Sequence, residues 1–302
     1  MVNEATWDAL VATLAGHSLR DLVVAACYLA VPVFVAADLW IQHRRAPGTG
    51  ARARDLRTAA AMAAGALAIG VAYSAAFVAL FALVSHAAPH PGLGDSHPIV
   101  AFAVAFVAWD LIGWLYHLIG HTSAIGRASH QAHHTGRTFD GSLALRQSWF
   151  PVHGLAVQPL IALTGVDLAV VVVCIAVSNV VQALQHSASL RRVPVWVAAV
   201  VVTPEAHRHH HLTGAGPVNL GPVFTVWDRM AGTWRAGPVP DGASYGERGP
   251  GDRGALAAVG SGWAQLLRRP AAGAPASPRD HGHATVRHSR SIGMTWSRSS
   301  KL

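Results

Sequence analysis

Residues 109–134 read WDLIGWLYHLIGHTSAIGRASHQAHH, and they place five histidines at the end of an otherwise apolar stretch. His117 and His121 are four residues apart, while His130, His133 and His134 form an H-x-x-H-H unit. On an α-helix, residues at i, i+3 and i+4 share one face, so we expect each group to direct its imidazoles to one point. This stretch predicts helices that present histidine ligands beside an apolar segment.

The same spacing returns later in the chain. His207, His210 and His211 repeat H-x-x-H-H, and His186 stands alone after a long apolar run. Imidazole suits iron, copper, nickel and zinc, and one ion needs only about four to six ligands. The histidines of these groups are more than one ion requires and about right for two. The remaining histidines are interpreted as ordinary polar residues, with His209 either solvated or supporting a ligand from behind.

The composition indicates a membrane protein, because the chain is 52% hydrophobic and only 13% charged. Soluble domains carry about 25% charged residues, and a stretch of roughly 20 apolar residues can cross a bilayer. The candidate spans are Leu22–Trp40, Ala59–Ser85, Pro98–Gly120 and Leu155–Leu184, the last interpreted as a hairpin of two helices broken at residues 164–167. Residues 193–202 are too short to cross and are expected to lie against the membrane. We expect an all-α integral membrane helical bundle with a cytosolic, histidine-rich helical cap that holds two metals.

Charge predicts the orientation of this bundle. Residues 41–57 contain five arginines and one acidic residue, which the positive-inside rule places in the cytoplasm. The third span then delivers His117 and His121 to the cytoplasmic side, and the hairpin returns His186 to the same side. The net charge of +8 does not indicate nucleic-acid binding, because the arginines flank spans and no aromatic platform accompanies them. Cys27 and Cys174 lie inside apolar runs, so no disulfide framework is expected.

The motifs of residues 100–236 resemble a known family. D-x-x-x-W-x-x-H-x-x-x-H (110–121) is followed in order by H-Q-A-H-H, L-A-L-R-Q-S, Q-x-x-x-H, H-R-H-H-H and N-L-G-x-x-x-T-V-W-D-R-M-A-G-T-W. The chain resembles the fatty acid hydroxylase / sterol desaturase superfamily of integral-membrane, non-haem di-iron oxygenases. L-A-L-R-Q-S is similar to its alkylglycerol monooxygenase-like branch. The resemblance implies ligands at His117, His121, His130, His133, His134, His186, His207, His210 and His211.

The resemblance also implies cofactors and a division of the chain. Two iron ions, replaceable by zinc in purified protein, would act with O2 as co-substrate. We expect an N-terminal segment (1–21), transmembrane helices and loops (22–97), a hydroxylase-like catalytic domain (98–236) and a mostly disordered basic tail (237–302). Within the tail, residues 259–267 carry apolar side chains at helical spacing, which indicates either a membrane-surface helix or a packing helix.

Several polar residues near these motifs are expected to support the ligands. Asp110, in an apolar surrounding, is expected to orient a ligand imidazole through its N–H. Gln182 is either a weak ligand or a hydrogen-bond donor behind the ligands, and Asn219 is assigned to the same supporting layer. Arg146, with Gln147 and Ser148, either bonds to the ligands, meets a lipid head group or anchors the chain at the membrane interface. We expect Asp228 and Arg229 to hold the fold near the site.

By this resemblance the protein is a membrane-bound enzyme that hydroxylates or desaturates a lipid, either a fatty acyl chain, a sterol or an ether lipid. Electrons must come from an external reductase, because the sequence has no cysteine set for an iron–sulfur cluster and no glycine-rich dinucleotide loop. Two alternatives stay open. One is a non-catalytic metal-binding or transport protein, whose ligands would lie near the bilayer midplane. The other is a degenerate homologue, which Arg137 and the short segment after His211 keep open.

Overall fold

The computed structural model of the chain describes residues 18–45, 50–88, 92–93, 97–190, 192–240, 242–247 and 253–268. Most of the expected N-terminal segment and residues 269–302 of the expected tail lie outside these ranges. The described residues are helical, and their β-pairing is limited to isolated bridges between Val201 and Phe224 and between Leu212 and Tyr245. The all-α prediction is confirmed.

Four long helices form the bundle, and each is long and apolar enough to span a bilayer. They are α1 (Leu19–Arg45), α2 (Gly50–Ala87), α3 (Pro98–Thr122) and α6 (Leu168–Gln185). The shorter helices are α4 (Ala124–His130), α5 (Val152–Val157), α7 (Val195–Val200), α8 (Pro204–His211), α9 (Val226–Ala231) and α10 (Ala255–Leu267). Short 3-10 helices, called 3-10 turns below, cover Gln131–Thr135, Gly141–Leu145 and Gln158–Thr164.

The outer faces of the long helices expose apolar side chains. Leu29 is 68% exposed, Leu67 is 78% exposed, Val71 is 76% exposed and Ile99 is 72% exposed. Contiguous apolar exposure of this kind is unfavourable in water and is typical of a surface that meets lipid. The protein is therefore an integral membrane protein. The short helix α7 is exposed, with Trp196 at 75% exposure, and the placement of residues 193–202 against the membrane stays a prediction.

Helix α3 packs against α6 and the 3-10 turn Gln158–Thr164, and α6 also packs against α1. Trp109 of α3 meets Phe77 of α2 edge-to-face, with ring centroids 6.5 Å apart. Val171 and Cys174 of α6 are fully buried in the same apolar cluster. This packing fixes the C-terminal ends of α3 and α6, which carry histidines, on one side of the bundle.

The long apolar stretch before His186 is broken where the sequence indicates. Helix α5 continues as the 3-10 turn Gln158–Thr164, and Gly165 then adopts a left-handed conformation with φ of 70°. Glycine adopts this conformation without a steric penalty, so Gly165 ends the first arm of the hairpin, which consists of α5 and this 3-10 turn, before the second arm, α6, begins at Leu168. The two arms are unequal, because only α6 is long enough to span a bilayer.

Part of the tail that was expected to be mostly disordered (237–302) makes defined backbone contacts at residues 242–247, and α10 forms where apolar side chains at helical spacing indicated a helix. The backbone of Gly246 and Glu247 donates hydrogen bonds to the carbonyls of His211 and His134. Helix α10 packs on α4 and on the turn Gln131–Thr135, with Val259 buried, so the packing-helix alternative holds. Glycine- and proline-rich composition indicated disorder here, but these residues obtain backbone partners that lie far away in the sequence.

The contact between α2 and Trp149 provides a test of this packing. The Trp149 indole donates its N–H to the carbonyl of Met62 at 2.9 Å, and a Cβ at Gly65 would overlap that ring. We expect Gly65→Ala to reduce the stability of the detergent-solubilised protein by about 1–3 kcal/mol, since the anchored ring cannot move aside. Gly70→Ala, on the same helix with nothing within 4 Å of the new Cβ, is the control. Equal thermal unfolding midpoints for the two variants would contradict this packing.

Candidate metal centre

The structure brings all nine predicted ligand histidines together in two adjacent groups. Within each group one ring nitrogen per residue lies within 4.8 Å of the corresponding nitrogens of the others. The five-histidine group consists of His117, His121, His130, His134 and His210. The four-histidine group consists of His133, His186, His207 and His211.

Each H-x-x-H-H unit contributes two histidines to one group and its remaining histidine to the other group. His130 and His134 join the five-histidine group, but His133 between them points into the four-histidine group. His207 and His211 belong to the four-histidine group, whereas His210 crosses to the other. The expectation that each unit directs its three imidazoles to one point is therefore wrong. Residues i+3 and i+4 are separated by about 100° around an α-helix and about 120° around a 3-10 helix, so two neighbouring centres can divide each unit.

Within each group the Nε2 atoms face one another. The Nε2 atoms of His134 and His210 are 3.1 Å apart, and those of His186 and His207 are 3.0 Å apart. Two ligands at right angles on one ion lie about 3.0 Å apart when the metal–nitrogen bond is about 2.1 Å. The donor atoms therefore have the separation of a ligand shell, and each group fits a metal that favours imidazole.

Burial keeps these rings in the form that binds metal. Burial, reinforced by the neighbouring imidazoles, holds pKa values well below the ordinary 6.5 for His130, His133, His134, His207, His210 and His211. Burial also lowers the pKa of His186 to about 4. The imidazoles are therefore neutral near pH 7, with a lone pair free for a cation.

Backbone carbonyls set the orientation of four of the rings. Nδ1 of His117 donates to Leu220 O at 2.8 Å, and Nδ1 of His186 donates to Gln182 O at 2.7 Å. His133 and His210 donate in the same way to the carbonyls of Arg146 and Val218, at 3.2 and 2.9 Å. A carbonyl oxygen can only accept, so each Nδ1 carries the proton and each Nε2 keeps its lone pair for the centre.

The local sequence explains how His130 reaches α3. Ser123 ends α3 and caps α4, because its hydroxyl accepts from the Gly126 N–H at 2.9 Å and donates to Ile119 O. A Cβ at Gly126 would overlap the Ile119 carbonyl, so only glycine permits this tight turn. Gly120 faces the His130 ring, which a Cβ there would approach to 3.1 Å. The turn therefore lets His130 pack against the helix that carries His117 and His121.

Two buried aspartates hold the loop that carries Leu220. Asp228 is fully buried and accepts from the backbone N–H groups of Leu220 and Gly221, at 2.9 and 2.8 Å. Asp110 accepts from Val223 N at 2.8 Å and from the Trp227 indole at 2.8 Å. The expectation that Asp110 bonds a ligand imidazole is therefore wrong. Its carboxylate instead fixes the loop backbone. The loop N–H groups have no backbone acceptor there among the described residues, so the buried carboxylate accepts their hydrogen bonds.

Arg146 is a buried structural cation. It is 1% exposed, forms a 2.7 Å ion pair with Asp55 of α2 and donates to Thr135 Oγ1 at 2.8 Å. This burial excludes the expected alternatives of a lipid head-group contact and an interfacial anchor. The link to a ligand is the Arg146 backbone carbonyl, which accepts from His133.

Four other polar residues that were predicted to support the ligands make different contacts from those expected. The Gln182 amide donates to Ser178 Oγ at 3.0 Å, so only the Gln182 carbonyl reaches a ligand. Gln147 and Ser148 make local backbone hydrogen bonds, to Ala144 O and from Phe150 N. Asn219 donates to Ala206 O at 2.7 Å and to Arg235 O at 2.8 Å, which ties α8 to the segment after α9. Sequence spacing located these residues near the site but could not resolve their partners.

Asp38 of α1 supports the site and is absent from the predicted set. It is 1% exposed and accepts from Gly141 N, from the Ser187 hydroxyl and from Ser189 N, at 2.9, 2.8 and 3.0 Å. These contacts clamp the chain directly after His186. The signal was present in the sequence, because an acidic residue inside an apolar span is costly unless it has partners.

Two further histidines lie outside both groups. Nε2 of His209 donates to Gly237 O at 2.7 Å, so this ring supports the chain after α9. His153 is buried, bonds through Nδ1 to Ser129 Oγ at 2.7 Å and stacks on Tyr116 at 4.3 Å. Burial lowers the pKa of His153 to about 4, so it is neutral. Its hydrogen bond to Ser129 lies one residue before the ligand His130, and the sequence did not predict this contact.

Comparison with known proteins finds similarity over part of the chain. Residues 102–233 match the family model described as Fatty acid hydroxylase. The chain is 30% identical over 141 residues to alkylglycerol monooxygenase of Caenorhabditis elegans, covering 45% of this chain and 27% of that protein. It is 30% identical over 149 residues to alkylglycerol monooxygenase of Danio rerio, covering 47% of this chain and 32% of that protein. The chain thus spans about a third or less of these relatives' length, and no solved structure matches it.

The buried Asp228 carboxylate provides a test of how the five-histidine group is held. Asp228→Asn keeps the shape but replaces one acceptor oxygen by a donor facing the N–H groups of Leu220 and Gly221. We expect metal affinity to fall about 10- to 100-fold, since the Leu220 carbonyl then no longer holds His117. Competition titration against a chelator measures this, with Asp21→Asn at an exposed position as control. Unchanged affinity in both variants would show that Asp228 does not position the site.

Proposed function

We propose, from the match of residues 102–233 to the Fatty acid hydroxylase family model, that the chain is a membrane-bound di-iron oxygenase acting on a lipid. The observation that carries the proposal is the pair of histidine groups with facing lone pairs at the ends of membrane-spanning helices. The five-histidine and four-histidine groups would each hold one iron ion. The L-A-L-R-Q-S motif and both relatives named above favour the alkylglycerol monooxygenase-like branch.

The donor set supports iron held by neutral ligands. Carboxylate-rich di-iron sites occur in soluble helical bundles, whereas both groups here consist of imidazole alone. Neutral donors avoid the burial of several anions beside a low-dielectric membrane. Bound iron would supply the activation of O2 and the oxidation of an unactivated C–H bond.

The residues around the groups would exclude water and orient the ligands. His207, His210 and His211 are at most 4% exposed, so the ligand nitrogens lie in a water-poor environment. The Nδ1–carbonyl hydrogen bonds would hold the rings of His117, His133, His186 and His210 in place when iron binds. Phe139 packs edge-on against His211 at 5.7 Å and would shield the four-histidine group.

The substrate is proposed to be a membrane lipid. If the long helices span the bilayer, the histidine groups at their ends would lie beside it, and an alkyl chain would reach them without crossing water. The names of the two relatives make an alkylglycerol ether lipid the first substrate to test. The arginines of residues 41–57 support a cytoplasmic orientation of the site, where an external reductase would supply electrons.

Metal transport is the second candidate function, but the structure favours it less. A transporter is expected to hold its ion near the bilayer midplane, between broken helices. Here His121 lies in the last turn of α3, and His186 directly follows α6. Ion flux into sealed vesicles separates the two functions.

Substitution of one ligand from each group tests the assignment. We expect His133→Ala and His210→Ala each to abolish turnover while the protein still inserts into the membrane, since each removes a ligand of a different group. His209→Ala, on the same helix as His210 but outside both groups, is the matched control and should retain activity. O2 consumption with an alkylglycerol measures turnover. Retained turnover in both ligand variants would refute the assignment.

Metal stoichiometry tests the two-ion proposal independently of the substrate. We expect about two iron ions per wild-type chain after anaerobic loading, and about one in His186→Ala if the groups bind separately. Elemental analysis of the desalted protein in detergent provides the measurement. A wild-type ratio of one or fewer at saturating iron would support a degenerate homologue instead.

A further inference from the structure

The segment 243–247 runs along the backbone of both histidine units. Gly246 N donates to the carbonyl of His211 at 3.0 Å, and Glu247 N donates to the carbonyl of His134 at 2.7 Å. Each acceptor is the last histidine of its H-x-x-H-H unit. His134 belongs to the five-histidine group and His211 to the four-histidine group, so one short segment joins a ligand of each.

The segment 243–247 also accepts hydrogen bonds from the chain directly after α8. Thr213 donates twice, through its N–H to Ser244 O at 2.9 Å and through its hydroxyl to Gly246 O at 2.8 Å. Tyr245 packs on Phe139 with centroids 5.4 Å apart, and Phe139 in turn covers the His211 ring. The segment is thus fixed to the chain after α8 and adds to the aromatic cover of the four-histidine group.

Only glycine fits at position 246. Its φ is +79°, and a Cβ there would overlap the Gly136 carbonyl oxygen and approach the His134 carbonyl oxygen to 3.1 Å. Both obstacles are backbone atoms next to a ligand, so neither can move without displacing the first histidine unit. Such close approach is the usual reason for a glycine at a left-handed position.

We propose that residues 243–247 are a positioning element of the metal centre, a clasp that sets the separation of the two histidine groups. The inference rests on the proposed two-metal site. The rings of His134 and His211 have centroids only 4.6 Å apart across the boundary between the groups. Because the clasp holds both backbones, it fixes this distance before any ion binds. The clasp lies beyond residues 102–233, so the domain match does not include it.

The test compares two glycines that share a positive φ. Gly246→Ala introduces the backbone overlap, whereas Gly242→Ala, at φ of +75° with nothing within 4 Å, introduces only the left-handed strain. In the full-length, detergent-solubilised chain titrated with Co²⁺, we expect Gly246→Ala to weaken binding of the second ion at least about ten-fold. Gly242→Ala should bind both ions as the wild type does. Equal Co²⁺ affinities in the two variants would overturn the clasp.

A metal-free measurement separates this inference from the proposed function. Amide hydrogen exchange of the metal-free chain should be slow at Thr213 and Glu247 in the wild type and Gly242→Ala, and at least about ten-fold faster in Gly246→Ala. If the wild type binds no Co²⁺, the proposed function fails, and the exchange rates alone decide the clasp. Equal exchange in Gly246→Ala and Gly242→Ala would overturn it.

A milder variant serves if Gly246→Ala loses its helical circular dichroism or aggregates. Thr213→Val removes only the hydroxyl that donates to Gly246 O, and we expect roughly five-fold weaker binding of the second Co²⁺ ion. Thr213→Ser retains the hydroxyl and should restore wild-type affinity. Wild-type affinity in Thr213→Val would count against the clasp.

Discussion

Hydrogen bonds from imidazole Nδ1 atoms to backbone carbonyls are the interaction on which the rest of this structure depends. They fix the tautomer, so that Nε2 of His117, His133, His186 and His210 keeps its lone pair toward the centre. Each of these four rings is therefore only as rigid as the backbone segment whose carbonyl accepts its hydrogen bond. The loops that supply these carbonyls must therefore be held firmly, although several of them contain glycine or proline.

Buried carboxylates meet that requirement. Asp38, Asp110 and Asp228 each accept from backbone N–H groups of a loop near the ligands, and none bonds an imidazole. Asp55 acts one step further away, through the buried guanidinium of Arg146. The arrangement places anions where N–H groups need acceptors and leaves neutral imidazoles for the metal. It gives the site two layers, in which carboxylates hold the backbone and the backbone holds the rings.

The membrane explains why the helices themselves carry ligands. A spanning helix satisfies its own backbone hydrogen bonds, so its end is a rigid support at a defined depth. Helix α3 carries His117 and His121 in its last turns, and α6 ends directly before His186. The packing of α3 against α6 therefore sets how far His117 and His121 lie from His186, while the shorter segments between the spans supply the remaining ligands. The apolar packing of the spanning helices therefore affects the positions of the histidines at their ends.

The sequence by itself determined the helical membrane class and the nine histidines, because hydropathy and the H-x-x-H-H spacing are local patterns. It also located the break at Gly165, since a left-handed helix end has a glycine signature. Only the tertiary structure decided that His133 and His210 exchange groups, that Asp110 holds a loop rather than an imidazole, and that residues 242–247 are ordered. These outcomes depend on partners that lie far apart in the chain, as in the hydrogen bond between Glu247 and His134. A local pattern specifies which face a side chain occupies, but which distant group meets that face depends on how the helices pack.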